Sequence, residues 1–530
     1  MESKYRWVTL FWICTSAILF GVLVSLGVIM RMNQAGIIHL PDIRFYAYMT
    51  LHGVGMAGTL YVAGLSGVWY LLSRYINVSR AQMWAVYVAT IGGVGLILVA
   101  TLSGDFAPGW YVLYPLPFVN TTWPYWSIGV FSLGLLVLGV AWLAAMLDIL
   151  RAMAERYGSI GNCLGWQYFS KKPNPIEVPP LVLIAAVGSI AGVIAMTAGG
   201  ILMMLYMLNW FSLEVSLDPL LLKNLVFLFG HTLMNMTMYY GVAIVYEILP
   251  EYTKRPWKTN KIVVAAWNTT LVLVIVAYWH HLYMDHAQPL FVTILGQVAS
   301  YISPIPATVA TIFGTIGNVY RSGMKRHFVP LAFLLGFLGW LVGGVPAVID
   351  ATVAANFTFH NTLWVPGHFH TYYLVGYVFI ICGFTAYIVK QAGGEPAKEA
   401  TQRGIWTMAA GGYGFVTMFY IGGVMGVPRR FANYTAIGIE SVKYWGQLVA
   451  QLAVYALAVF IFGLLVTYIG IFTGRRTQSP EALAFPTAHP IQRLMDNPWL
   501  LLALGFLITL FSYTFWGWMD LAGTPKATLP

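Results

Sequence analysis

Charge is scarce in this chain. Asp, Glu, Lys and Arg make up 9% of its 530 residues, against about 25% in an ordinary soluble protein. That shortage excludes a water-facing globule of this size. Cysteine is scarce too. Cys14, Cys163 and Cys382 lie far apart, with no C-x-x-C pair. A disulfide framework, a cysteine zinc site and a thiolate copper centre are excluded with it. There is no internal repeat, no low-complexity tract and no soluble domain between the apolar runs. What the chain has in abundance is apolar surface: 59% hydrophobic residues, 15% aromatic, and a mean hydropathy of +0.73. The net charge of +10 does not point to nucleic acid, because the basic residues sit in loops between apolar runs, where they orient a protein in a bilayer.

About thirteen stretches have the ~20 apolar residues that cross a membrane. They run near 8–30, 45–73, 81–103, 125–150, 179–209, 220–248, 262–283, 289–319, 328–350, 363–390, 405–427, 444–473 and 497–519. The first is too long for a signal-peptide core and reads as a retained span. Lys and Arg concentrate in alternate loops: Arg74 and Arg80, then Arg151 to Lys172, Lys254 to Lys261, Arg321 to Arg326, Lys390 to Arg403, and Arg475 to Arg493. One missed or invented span would scramble that alternation. The expectation is an all-α polytopic membrane bundle, one transmembrane domain over 1–530, with the N-terminus cytoplasmic and the C-terminus outside.

Of eleven histidines, His39, His286, His327 and His489 read as loop residues. The other seven, His52, His231, His280, His281, His360, His368 and His370, lie in spans or at their ends. An ionisable side chain at membrane depth is costly and marks function, and so many imidazoles together fit a redox-metal core. His368 and His370 are two residues apart, so on a helix they point about 200° apart and suit two hemes, one on each side, with Phe369 close to both. His231 on the sixth span and His280–His281 at the outer end of the seventh suit one small metal with an open position. His52 stands on the second span among Gly53 and Gly55, which offer a flat surface to a porphyrin.

These residues resemble the catalytic subunit of the heme-copper oxygen reductases and their nitric oxide reductase relatives. The matching pieces are T-L-H-G-V at 50–54, G-H at 230–231, H-H at 280–281, H-N-T-L-W-V-P-G-H-F-H at 360–370 and G-V-P-R-R at 426–430. They stand in family order across nearly the whole chain. Asp218-Pro219-Leu220 and Val112-Leu113-Tyr114-Pro115 look most like the B-type branch. The resemblance implies the subunit I fold. It implies that His52 and His370 ligate a low-spin heme, expected to be heme b, and that His368 ligates a high-spin heme. His231, His280 and His281 would hold the facing metal, copper rather than iron. His360, Arg429 and Arg430 would bind heme propionates, a role that also suits two arginines in an outer loop. The family's acidic residue four before His360 is Asn356 here. An electron-accepting second subunit is implied, a cupredoxin with a copper centre outside the membrane, fed by cytochrome c or a similar donor, in a prokaryotic inner membrane.

One position departs from the oxygen reductases. A and B types carry a tyrosine four residues after the span-six histidine, cross-linked to it; here the residue is Asn235. One-step O–O cleavage takes four electrons, of which the tyrosine supplies one. Coupling two NO takes two electrons, and an amide at that position is compatible with it. The expectation is therefore nitric oxide reduction, with Asn235 donating a hydrogen bond to NO, and oxygen reduction as the alternative. In that alternative Tyr278, three before His281, would replace the missing phenol, while Tyr239 and Tyr240 lie two turns beyond His231. The buried glutamates of well-studied nitric oxide reductases are absent near His231, Glu247 being more than four turns away. Tyr246, Thr308, Thr311 and Thr315 are candidates for a proton path.

Overall fold

The computed structural model describes residues 3–119, 122–170, 176–211, 216–325 and 327–474. Among the described residues each long apolar run is helical, because a backbone in hydrocarbon must satisfy its own hydrogen bonds. In order these are α1 (Ser3–Gln34), α2 (Asp42–Leu72), α3 (Arg80–Leu98), α4 (Tyr125–Tyr157), α5 (Pro180–Phe211), α6 (Pro219–Thr253) and α7 (Lys261–Ala277). Then follow α8 (Leu290–Ile302), α9 (Pro304–Val319), α10 (Phe328–Ala351), α11 (Val353–Phe359), α12 (Trp364–Tyr372), α13 (Val378–Gln391), α14 (Lys398–Val424) and α15 (Glu440–Thr473). Twelve of the expected spans fall on these helices; the thirteenth, 497–519, lies outside the described residues. Among the described residues ten helical stretches are long and apolar enough to cross a membrane. The other two expected spans are α6 and α14. They are long enough but more polar, and α6 carries Lys223, Asn224, His231, Asn235 and Glu247.

Local chemistry sets the ends. Asp218 caps α6 by accepting from Leu220 N (2.9 Å), with Pro219 at the first helical position, where a missing N–H costs nothing. Asn260 caps α7 through Val263 N (3.0 Å). Two spans are not simple helices. The eighth breaks at Ser303 between α8 and α9, where Pro304 and Pro306 follow. The tenth joins α12 to α13 through a wide π-turn, Tyr373–Tyr377, a device found mostly at functional sites. Trp340 of α10 donates to the Tyr372 carbonyl beside that turn (2.9 Å).

Packing relies on small residues, since lipid removes the hydrophobic drive between helices. The closest pairing is of α14 with α15. Gly404 and Gly411 on one, Gly463 and Gly470 on the other, sit where a Cβ would strike the opposite backbone. The span over Trp364–Gln391 is the most enclosed, 94% buried, and the span over Leu290–Val319 the least, at 17%. The center of the bundle is therefore the helix that carries His368 and His370.

Candidate heme and metal centre

One cavity of about 1090 Å³ runs through the core, beyond the ~300–1,000 Å³ of an ordinary ligand pocket. Its walls include all seven span-associated histidines together with Asn235, Arg429 and Arg430. His39, His286 and His327 are not among its walls, and His489 lies outside the described residues.

At one end, His52 on α2 faces His370 on α12. Their rings are nearly parallel, 15° apart, with centres separated by 6.4 Å. His52 Nδ1 is 2.7 Å from the Leu23 carbonyl, and His370 Nδ1 is 2.6 Å from the Pro366 carbonyl. A carbonyl only accepts, so each Nδ1 carries the proton and each Nε2 keeps its lone pair. An iron bonded to both at about 2 Å would leave the ring centres a little over about 6 Å apart. The pair therefore fits a heme with two axial imidazoles. Gly27 of α1 makes room, since a Cβ there would lie 3.0 Å from His52 Cε1. The glycines beside His52 do not stand open as the flat surface expected from the sequence, although Gly53 does line the cavity. Gly53 is filled by Trp110 and Gly55 by Leu23, so Gly55 serves helix packing rather than a porphyrin.

His368 leaves the other side of α12, as the two-residue spacing requires. Its Nδ1 is 3.3 Å from the Gly343 carbonyl, and Tyr372 packs edge-on against the ring at 4.8 Å. Phe369 lines the cavity between the two sides and touches Tyr373, with ring centres 4.6 Å apart.

The third group is a triad. After Ala277, α7 tightens into a 3₁₀ turn over Tyr278–Leu282 that carries His280 and His281 toward His231 of α6. One ligand atom from each of the three lies within 4.8 Å of the others. His231 Nδ1 and His281 Nε2 are 3.2 Å apart, close to the ~3.3 Å separating two ligands of a tetrahedral metal with bonds of about 2 Å. His280 Nδ1 is 2.9 Å from Ser300 Oγ, whose own proton goes to the Gly296 carbonyl (2.6 Å). Ser300 thus accepts, and Nε2 of His280 is left free to ligate. An all-imidazole set suits copper, and would take iron as well. Glu247 is far away, bound to Arg74 (2.9 Å) and to the Tyr75 hydroxyl (2.9 Å).

Asn235 is at the triad and lines the cavity. Its Nδ2 donates to the His231 carbonyl (2.8 Å) and lies 3.3 Å from His231 Nε2. The amide nitrogen is thus engaged with the histidine of its own helix, on the ring edge away from His281. Here the amide nitrogen rests on the His231 carbonyl and beside its ring. Tyr278 also departs from expectation: its hydroxyl donates to Asn224 Oδ1 (2.9 Å), and it is not a cavity wall. Tyr239, one turn past Asn235, does line the cavity, with its ring against Trp267. Tyr240 instead pairs with the Ser189 hydroxyl.

Toward the outer end, the 426–430 loop is laced to the segment before α12. Leu363 N donates to Val427 O and Arg429 N to Asn361 O, each at 2.9 Å. Arg430 takes a left-handed φ of 62°, uncommon for a side chain of this kind, and lies over the Tyr111 ring at 4.1 Å. His360 Nδ1 is 3.1 Å from Asn356 Oδ1. Burial, and then the charge of Arg430, push the Arg429 guanidinium down to about 9; burial, and then both arginines and Lys223, push His360 down to about 4. Arg429 Nε has no partner among the described residues. Two buried arginines side by side are costly without an anion between them, which is what a propionate carboxylate would supply.

Sequence reasoning missed three wall residues. Ser300 lies in an apolar run and Arg31 just past the end of one, neither within a motif. Asp350 carries the one signal available, an acidic group at a span end.

The family model for cytochrome c and quinol oxidase polypeptide I matches residues 7–465. Cytochrome c oxidase subunit 1 of Thermus thermophilus is 24% identical over 492 residues, 87% of this chain and 81% of its own. The Candida albicans cytochrome c oxidase subunit 1 is 23% identical over 462 residues, 82% of each chain. A heme-copper terminal oxidase solved as a dimer by cryo-EM superposes with a TM-score of 0.73 at 18% identity, covering 96% of this chain and 92% of that one. The family carries hemes and a copper or other metal centre, and works as a membrane oxidoreductase. With the family model spanning most of its length, this multi-pass membrane chain belongs to the cytochrome c and quinol oxidase polypeptide I family, the subunit I fold of the heme-copper oxidases.

Proposed function

We propose that this chain is the catalytic subunit of a respiratory nitric oxide reductase, 2 NO + 2 e⁻ + 2 H⁺ → N₂O + H₂O. The observation that carries the reading is Asn235. It holds the position beside His231 where a redox-active phenol would be needed for one-step O–O cleavage. Asparagine gives up neither an electron nor a proton at accessible cost, so the centre is suited to a two-electron coupling.

When bound, two hemes and the triad metal supply the electrons and a Lewis acid. The chain's own residues do the rest. His52 and His370 would hold the low-spin heme, His368 the high-spin one, and His231, His280 and His281 the facing metal. Arg429, Arg430 and His360 would bind the propionates. Ser300 fixes the His280 tautomer, and Asn235 fixes the His231 ring. Protons have a route in the Tyr246 hydroxyl and Thr311 Oγ1, 3.0 Å apart. Thr308 and Thr311 line the cavity, and Thr315 follows one turn on. We assign the whole chain to one transmembrane unit with a cytoplasmic N-terminus, in a prokaryotic inner membrane. A second subunit with an outer cupredoxin-like copper domain would receive electrons from cytochrome c, because the three separated cysteines of this chain provide no two-copper site.

The second reading is a terminal oxygen reductase. The names of the relatives favour it over the first: they include cytochrome c oxidase subunit 1 and, in Acetobacter aceti, ubiquinol oxidase subunit 1. Tyr239, a phenol on the cavity wall, gives it a candidate electron source in place of Tyr278.

Asn235→Tyr tests the assignment. The ratio of oxygen to NO turnover should rise about tenfold or more with both heme spectra retained. A ratio that does not move would remove Asn235 as the determinant. Tyr239→Phe should leave NO turnover unchanged, whereas an oxygen reductase fed by that phenol would lose most of its rate.

A further inference from the structure

The loop between α6 and α7 packs against the Tyr246–Thr311 contact. Lys254 takes a left-handed φ of 57° at the end of α6, and the chain turns toward α9. The Arg255 guanidinium donates to the carbonyls of Gly317 (2.9 Å), Tyr320 and Arg321 (3.0 Å). These lie at the end of α9, where a helix leaves its carbonyls without partners. Two residues on, the Trp257 indole lies nearly face to face with the Tyr246 ring, centres 3.6 Å apart and planes 19° apart. The indole also occupies a notch in α9. A Cβ on Gly314 would lie 2.3 Å from Trp257 Cζ2, so glycine alone leaves the ring its place.

The standing of Thr311 gives these contacts their weight. Of the ten candidate spans among the described residues, the one made of α8 and α9 is the least enclosed, 17% buried, and it breaks at Ser303. The Tyr246 hydroxyl on α6 meets Thr311 Oγ1 on α9 at 3.0 Å. A phenol ring turns broadly about its χ2, and a hydrogen bond between two spans persists only where both are held. Arg255 fixes the end of α9, while Trp257 rests on the phenol face and in the α9 notch at once. The cavity has walls at Thr308, Thr311 and Ile312 on this span, and neither Tyr246 nor Trp257 is a wall. The stacked pair thus lies beyond the end of the cavity, toward the loop. Thr315 Oγ1, next to the notch, is buried without a hydrogen-bond partner among the described residues, which leaves a hydroxyl free to extend the chain.

We propose that Trp257 is a positioning residue for proton delivery: by stacking on Tyr246 and filling the Gly314 notch, it keeps the phenol hydroxyl aligned on Thr311 Oγ1. Trp257 is not a wall of the heme and metal cavity, so it acts through Tyr246. The inference rests on the reading of Tyr246 and Thr311 as a proton route.

The test is proton uptake by the purified, reduced holoenzyme in a single turnover with the gas it reduces, NO or O₂, followed with a pH dye beside heme and metal content. Trp257→Ala should slow uptake about tenfold or more and enlarge the ratio of rates in H₂O and D₂O, with both hemes and the triad metal at full content. Trp257→Phe, which keeps a ring on Tyr246, should recover most of the native rate. Gly314→Ala should slow uptake as well, since its Cβ displaces the indole while Trp257 stays in the chain. Uptake at the native rate in Trp257→Ala would overturn the proposal, and so would Trp257→Phe as slow as Trp257→Ala. If Trp257→Ala does not assemble, Gly314→Ala is read in its place, and native uptake there overturns the proposal. The route is checked apart from this. Native uptake in Tyr246→Phe would sink the proton route itself and the positioning role with it. Slow uptake in Tyr246→Phe beside native uptake in Trp257→Ala would sink the positioning role alone.

Discussion

The His52–His370 pair and the His231–His280–His281 triad use one side chain for two purposes. In the pair, two parallel rings 6.4 Å apart close a site from both sides. In the triad, the rings meet at 76°, 69° and 48°, and their nitrogens converge from one side. The first arrangement suits an iron held from both sides, as in an electron carrier; the second suits a small metal with a face left open, as at a reactive centre. The difference lies in the backbone. Regular helices α2 and α12 present the pair, whereas a 3₁₀ turn at the end of α7 brings two adjacent histidines to one point.

Breaking the two sites separately should separate their signals. His370→Ala should abolish the low-spin heme spectrum and reduce turnover by more than about 100-fold, since electrons then have no carrier. His281→Ala should cost as much turnover while leaving the low-spin spectrum intact; loss of that spectrum in both variants would mean the sites are not independent. Ser300→Ala sharpens the comparison. It removes the acceptor that fixes the His280 tautomer and should weaken triad metal retention by about 10- to 100-fold, read by metal analysis, with the heme pair untouched. The smallest effect is expected from Gly27→Ala. A Cβ 3.0 Å from His52 must tilt that ring, shifting the low-spin spectrum or its potential while the triad metal stays at full occupancy.

The division of His368 from His370 was more legible in the sequence than the triad. Two residues of spacing on a helix give opposite directions, so His368 and His370 could be assigned to two sides from spacing alone. Adjacent histidines at a span end say only that they are close; the tightening after Ala277, and the Ser300 contact from another helix, are tertiary facts. The same limit applies to Asn235. The i,i+4 spacing correctly put it beside His231, but which way the amide faces depends on the competing His231 carbonyl. Tyr278 was misjudged because spacing gives a side and not the reach of a hydroxyl, which went to Asn224. The spans were legible because apolar length is a one-dimensional property. The break at Ser303 and the π-turn at Tyr373–Tyr377 were not read, though Pro304 and Pro306 marked the first. Asp350 escaped because one acid at a span end resembles a loop residue until its burial is seen.

Turnover of the purified, reduced complex with NO and with O₂, given separately with an artificial donor, bears most directly on what the triad does. Fast N₂O formation with little oxygen uptake is the outcome expected of a metal site whose phenol has become Asn235. Sustained reduction of O₂ to water, with little N₂O, would contradict it and leave the terminal oxidase reading in its place.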